Sequence, residues 1–327
     1  MRLRSRLLLW VLFLLVLPVT ALWLWVAQPA FASNGRSSAS ADPEALKRHV
    51  VALSQTFHPR SYYDTNNLAR CSAYIEARFR EAGLAVTNQA YEAFNTSCRN
   101  VIAVIPGREQ RRVVVGAHYD AVLGTPGADD NASGVAGLLE LARLLRGLAP
   151  ERTVELVAFC TEEPPCFGTE HMGSVHHARL LTEGRVPVDA MLALEMIGTF
   201  SDAPGSQSYP VPLLRLFYPS RGSFVGVVGD TRHRWLTRAV KRAMSGATAL
   251  PVCSIAAPDA VPGVDLSDHR SYWEAGFPAV MITDTAFFRN PRYHQCDDTA
   301  DRLDFTRMSC VVVGVYEAVR ALAGNGG

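Results

Sequence analysis

Net charge is what this chain has least of. Its 327 residues set 32 Lys and Arg against 31 Asp and Glu, a formal +1 at pH 7. With no long basic run, the electrostatic footprint of a nucleic-acid binder is missing, and the sequence points to a small-molecule partner instead. Cysteine pairs at CxxC spacing are also missing. The seven cysteines (Cys71, Cys98, Cys160, Cys166, Cys253, Cys296 and Cys310) therefore do not read as a structural zinc ribbon. No internal repeat is visible, which excludes a solenoid or propeller. What remains is an ordinary globular composition, 48% hydrophobic, long enough to bury a sizeable core.

One long apolar run is present. Arg2, Arg4 and Arg6 precede an almost unbroken apolar stretch from Leu7 to Ala27, with Trp23 and Trp25 near its end. That length approaches the ~20 residues needed to cross a bilayer and exceeds a signal h-region of about 7 to 15, and its aromatics stand where an interfacial belt would. An uncleaved anchor is the expectation. Ala30-Phe31-Ala32 before Ser33 suits signal peptidase and Pro18 interrupts the run, so a cleaved signal peptide is the alternative. Either way the basic N-terminus places the rest of the chain outside the cytoplasm, secreted or on the external or periplasmic side. The expected organisation is 1–32 as anchor or signal, 33–41 as a Ser- and Ala-rich linker, and 42–327 as a single domain. In that compartment disulfides are permitted, and an odd cysteine count leaves at least one thiol unpaired. Cys160 and Cys166 flank a glutamate pair, where a bridge and two free thiols are equally admissible.

Beyond the linker, residues 45–53 and 68–79 read as helices. Strand-like and helix-like segments then alternate: strands at 100–105, 112–117 and 153–159, with a helix at 133–145 between the last two. Later strands fall at 190–194, 224–228 and 278–282, and later helices at 232–245, 268–275 and 306–322. This alternation predicts a three-layer α/β/α fold with a central mixed, mostly parallel twisted sheet and helices on both faces. Ligands of such sheets gather beyond the carboxyl ends of the strands. The Pro-, Gly- and Ser-containing stretch from Ser201 to Gly222 reads as an insertion able to shape a pocket.

The polar residues of interest stand at those strand ends. His118-Tyr119-Asp120 follows Val113-Val114-Val115-Gly116-Ala117, and Asp130 comes twelve residues after the histidine. Glu162-Glu163 follows a second apolar segment, Glu195 a third, and His294 lies in the loop beyond a fourth. Any one of these alone is better explained as a hydrogen-bonded histidine or a solvated acid. Their recurrence at successive strand ends is what carries weight. Carboxylates beside apolar strands are costly to bury, and a multivalent cation compensates several at once. Histidines with Asp and Glu suit zinc, with cobalt or manganese able to use the same donors.

The ordered set His118-Tyr119-Asp120, Asp130-Asn131-Ala132-Ser133-Gly134, Glu162-Glu163-Pro164-Pro165, Leu194-Glu195-Met196-Ile197-Gly198, Ser267-Asp268-His269 and Asn290-Pro291-Arg292-Tyr293-His294 resembles the co-catalytic di-zinc exopeptidases. These include bacterial leucyl-type aminopeptidases, glutamate carboxypeptidases and, more distantly, glutaminyl cyclases. The resemblance spans residues 100–303 and is closest to the peptidase branch. It implies two zinc ions bridged by Asp130, one also held by His118 and Glu195, the other by Glu163 and His294. Asp120 would then orient His118 through its other ring nitrogen. Glu162 would be the general base that accepts the proton of the attacking water. The resemblance further implies a non-proline cis peptide at Asp130-Asn131. A glycan on the Asn131-Ala132-Ser133 sequon would block such a site, which leaves Asn95-Thr96-Ser97 as the freer acceptor.

The activity implied is removal of N-terminal residues from small peptides. A carboxypeptidase, and a cyclase using one zinc, are the alternatives; a metal-free binding domain fits poorly because every ligand position keeps a residue able to bind metal. Two departures stand out. Glu195 occupies a position often filled by Asp, and Val264 stands where some relatives carry an oxyanion-binding tyrosine, which leaves that donor unidentified. Side-chain preference and oligomeric state are not legible.

Overall fold

The central strand β3 (Glu109–His118) shows how the sequence builds the fold. Val113, Val115 and Ala117 join one hydrophobic layer while Val114 joins the other, the period-two alternation of a strand buried on both faces. In the computed structural model, which describes residues 13, 16–30 and 35–324, β3 lies inside an eight-stranded sheet. The other strands are β1 (Ala85–Ala93), β2 (Thr96–Ile105), β4 (Arg152–Phe159), β5 (Val188–Glu195), β6 (Val225–Gly229), β7 (Val252–Ala256) and β8 (Ala279–Thr283). Their order is β1-β2-β4-β3-β5-β8-β6-β7.

The pairs β3/β4, β3/β5, β5/β8 and β6/β7 are parallel, and β1/β2, β2/β4 and β6/β8 are antiparallel. The sheet is thus mixed with a parallel majority, as the alternation of elements predicts. Adjacent β4, β3, β5 and β8 all run the same way, so their carboxyl ends share one edge.

Helices cover both faces. One layer holds α1 (Pro43–Val51), α2 (Thr65–Glu81), α3 (Gly134–Leu144), α5 (Arg234–Met244) and α7 (Phe305–Ala323), whose apolar stripes meet β3 in the main core. The other holds α4 (Gly173–Glu183) and α6 (His269–Glu274), which supply Ala178, Leu181 and Tyr272. Local signals start several of these. Asp42 caps α1 by accepting from Glu44 N–H, with Pro43 at the first turn, and Asp304 caps α7 by accepting from Arg307 N–H.

Three elements go beyond the sequence expectation. Strand β1 is a polar edge strand, mostly exposed and paired only to β2, so it lacks an apolar signature. Short β7 and the histidine-containing α4 likewise carry weak periodicity and owe their state to tertiary packing. All seven cysteines are free thiols, so no bridge joins Cys160 to Cys166.

The apolar run from Leu7 to Ala27 lies partly outside the described residues, which include 13 and 16–27 of it. Residues 16–26 are helical. Among the described residues no helix is long and apolar enough to cross a membrane.

Candidate metal centre

Each predicted site residue sits at or just past the shared carboxyl edge. His118 ends β3, Glu195 ends β5, and Glu162-Glu163 lies three residues beyond β4, while Asp130 precedes α3 and His294 comes from the loop after β8. The structure brings all seven together.

Asp130 stands at the centre. Its Oδ1 lies 3.5 Å from His118 Nε2, and its Oδ2 lies 3.2 Å from His294 Nε2. His118 Nε2 is also 3.3 Å from Glu195 Oε2, and His294 Nε2 is 3.4 Å from Glu163 Oε2. Two donor triads follow, His118/Asp130/Glu195 and Asp130/Glu163/His294, each with its ligand atoms within 4.8 Å of one another. Donors about 2.0–2.2 Å from a tetrahedral ion lie about 3.3–3.6 Å apart, close to the 3.2–3.5 Å seen here. Glu163 Oε1 and His294 Nε2 are moreover buried without a hydrogen-bond partner. The residues fit a pair of cations that share Asp130.

Burial sets the electrostatics. Asp130, Glu162, Glu163 and Glu195 are all nearly inaccessible, and desolvation raises Glu162 well above the ordinary carboxylate range, raises Glu195, and lifts Glu163 to about 8. Burial would raise Asp130 too, but its contacts with His118 and His294 outweigh it and hold the group low. Burial opposes charge on the imidazoles, yet the carboxylates win: His118 is pushed well up, and His294 to about 10. In the bare protein, protons must therefore balance the charge that a metal would otherwise balance.

Asp120 does two jobs. Its Oδ1 lies 3.3 Å from His118 Nδ1, and its two oxygens accept from the backbone N–H of Glu162 at 3.1 Å and of Glu163 at 3.0 Å. It thereby fixes the imidazole and the glutamate pair together. Glu162 Oε2 lies 3.8 Å from His118 Nε2, and Glu162 forms a third potential donor group with His118 and Glu163. Geometry alone therefore leaves Glu162 able to act as ligand or base.

The Asp130-Asn131 peptide is cis, as the resemblance implies. Asn131 is buried; its Oδ1 accepts from Met196 N–H, and its amide donates to Leu194 O, so it ties this turn to the end of β5. Gly127 has φ +58, and a Cβ there would lie 2.3 Å from Asp130 O. Only glycine fits that close approach.

Several supporting residues were not read from the sequence. Arg60 is fully buried and donates to the carbonyls of Leu53, Tyr119, Pro126 and Gly127, bracing both ends of the loop that carries Asp120 toward Asp130. Asp298 accepts from the N–H groups of Asp129 and Asp130. Asp129 in turn accepts from Gly198 N–H and Asn290 Nδ2, and Ser267 Oγ donates to Glu195 Oε2 at 2.7 Å. Asn290 and Ser267 lie inside the quoted motifs, the one signal that could have found them. Arg60, beside the cis His58-Pro59 bond, had none.

A pocket opens beside the acids. Phe167, Leu214, Phe224, Val264, Phe287 and Phe288 form apolar walls, with Asp130, Glu162, Glu163, Glu195 and His294 at one side. The 201–222 insertion contributes Gln207, Tyr209, Leu214 and Tyr218. Tyr293 also lines the pocket, its ring stacked on His294 with centroids 3.7 Å apart.

Residues 100–316 match Peptidase family M28, well over half of the chain. The chain belongs to peptidase family M28. As a member of this co-catalytic zinc exopeptidase superfamily it is a metallo-exopeptidase, a hydrolase acting on peptide bonds. The peptidase is 44% identical over 313 residues to "Uncharacterized protein YfbL" of Escherichia coli (strain K12), which covers 93% of this chain and 95% of that protein. Leucine aminopeptidase 1 of Trichoderma harzianum is 30% identical over 286 residues, 81% of this chain and 65% of the fungal enzyme. Among solved structures, BSAP, a zinc aminopeptidase from Bacillus subtilis, superposes with TM-score 0.67 at 16% identity, covering 86% of this chain and 94% of that one. A glutaminyl cyclase from Bacteroides thetaiotaomicron, bound to N-acetylhistamine, gives 0.62 at 20% identity over 86% of this chain and 98% of that one. The α/β fold is therefore shared by both chemistries, and the peptidase's site must separate them.

Proposed function

We propose that the peptidase is a zinc-dependent aminopeptidase that removes large apolar residues from peptide N-termini, outside the cytoplasm and tethered by its N-terminal segment. One observation favours the amino end: among the described residues lining the pocket are four carboxylates and no Lys or Arg. The C-terminal carboxylate needed by a carboxypeptidase finds no Lys or Arg to pair with there, which favours the free N-terminus as the bound end. The apolar walls then receive the first side chain. The leucine aminopeptidase relative and the zinc aminopeptidase neighbour support the same reading.

His118 and Glu195 would hold one zinc, Glu163 and His294 the other, and Asp130 both. When bound, zinc supplies Lewis-acid polarisation of the scissile carbonyl and lowers the pKa of water from 15.7 toward about 7. Glu162, at the pocket wall beside the two triads, takes the proton of the attacking water and returns it to the leaving amine. Asp120 holds Glu162 and His118 in register for that transfer. Tyr209 and Tyr218 spend their hydroxyls on Pro219 O and Ser254 O, which leaves Tyr293 beside His294 as the donor to the developing oxyanion.

Metal analysis joined to a peptide panel tests this reading. Two zinc per chain, and chelator-sensitive release of N-terminal Leu or Phe restored by zinc, are expected. Metal-replete protein that spares free-amino peptides and trims C-terminal residues would replace it with a carboxypeptidase. One zinc per chain with cyclisation of N-terminal glutamine would replace it with a cyclase.

A further inference from the structure

The chain's near-neutral balance conceals a local imbalance. Between residues 203 and 258 stand seven cations, Arg215, Arg221, Arg232, Arg234, Arg238, Lys241 and Arg242, and one acid, Asp230. That acid faces His233 at 3.0 Å. Helix α5 carries Arg234, Arg238, Lys241 and Arg242 at i, i+4, i+7 and i+8, one cationic stripe opposite its buried Leu236, Val240 and Met244. Trp235 is 53% exposed on the same helix.

The end of the N-terminal apolar segment is bolted to this helix. The Arg234 guanidinium lies 3.5 Å from the Trp25 ring centroid and donates to Trp25 O, and Lys241 Nζ donates to Ala27 O. Leu24, Arg234, Trp235 and Arg238 line one depression, and Leu22, Trp25, Val211 and Leu213 line its neighbour. The short helix Pro212–Leu216 adds Leu216, 74% exposed, and exposed Arg215. Exposed apolar side chains, a tryptophan and the exposed arginines Arg215 and Arg238 thus surround the point where the apolar segment leaves the domain.

We infer that this face is a lipid-docking surface that seats the domain on an anionic bilayer around the exit of its own anchor. Arginines meet the phosphates, Trp235 takes the interfacial position, and Leu213 and Leu216 enter the acyl boundary. Leu214 and Tyr218 line both the substrate pocket and the apolar depression, so docking holds the pocket's outer wall at the membrane surface. The inference rests on the anchored reading of the N-terminal segment and not on the peptidase chemistry.

The test uses the full chain in nanodiscs of phosphatidylcholine alone or mixed with phosphatidylglycerol, with and without brominated acyl chains. Trp235 emission is read as the difference between wild type and Trp235→Phe. Bromine should quench that difference signal in anionic discs, and quenching should fall severalfold in phosphatidylcholine, at high salt, and in the triple variant R215Q/R232Q/R238Q. Unchanged peptide hydrolysis by that variant in detergent shows that its fold is intact. A difference signal blind to bromine, or quenched equally with and without anionic lipid, overturns the docking face. Release of the chain from vesicles by alkaline carbonate would refute the anchor itself, a separately readable failure.

Discussion

Asp130 offers each of its oxygens to a different imidazole, which turns one carboxylate into the seam between two donor sets. Its neighbours divide by what they can reach. Glu163 faces His294, whereas Glu162, one residue earlier, faces His118 at a longer 3.8 Å. Replacing Glu162 by Gln should therefore lower kcat by about 10²–10⁴ while two zinc ions remain bound. Loss of one ion in that variant would make Glu162 a ligand instead. Tyr293→Phe should lower kcat by about 10²–10³ with KM and zinc content little changed, as expected when a donor acts on charge that develops only in the transition state. A kcat within a factor of a few of wild type would return the oxyanion role to another group. The seven predicted positions were legible because acids and imidazoles recur at successive strand ends, in an ordered set of motifs that resembles the di-zinc exopeptidases. Arg60, Asp129 and Asp298 were not, because most of their partners are groups distant in sequence that only the fold brings to them.

At the level of elements, the carboxyl ends of β3, β4, β5 and β8 supply the frame, and the loop between β3 and α3 supplies the seam. That loop depends on Arg60, whose guanidinium feeds four carbonyls and is buried among Asp120, Asp130 and Asp298. Arg60→Met keeps the bulk but strands those carbonyls and removes a buried positive charge. A loss on the order of 3 kcal/mol of stability, with weakened zinc affinity, is expected from denaturant titration and metal competition. Helix α4 contributes in another way, through His177, which is buried against Tyr272 Oη at 2.6 Å. Burial, helped by Arg112, holds its imidazole down from 6.5 to about 3. The unfolded chain takes up this proton first on acidification. The stability tied to neutral His177 is therefore complete above pH 6.5 and is lost as pH falls toward 3, by about 1.4 kcal/mol per pH unit while the gap lasts. Thermal midpoints of His177→Gln should fall less steeply than wild type between about pH 6 and pH 4. An equal slope would place the acid sensitivity elsewhere.

Across the whole molecule, a cluster of buried carboxylates opens on an apolar pocket, and helix α5 carries a cationic stripe. Composition shows none of this, since the total charge nearly cancels while the 203–258 region does not. The sequence by itself determined the α/β architecture with its mixed, mostly parallel sheet, the identity of the polar residues at the strand ends and their order along the chain. It could do so because period-two and helical apolar patterns are local, and a buried polar strand end needs a specific reason. It did not reveal β1, whose single neighbour leaves its side chains exposed, nor α4 or β7, whose short or polar segments are decided by what packs on them. Only the tertiary structure decided which oxygen of Asp130 faces which histidine, that Asp120 organises both His118 and the glutamate pair, and that no Lys or Arg stands among the described residues lining the pocket. Those relations join residues tens to hundreds of positions apart, brought within a few ångströms by sheet order and register, which no local pattern encodes.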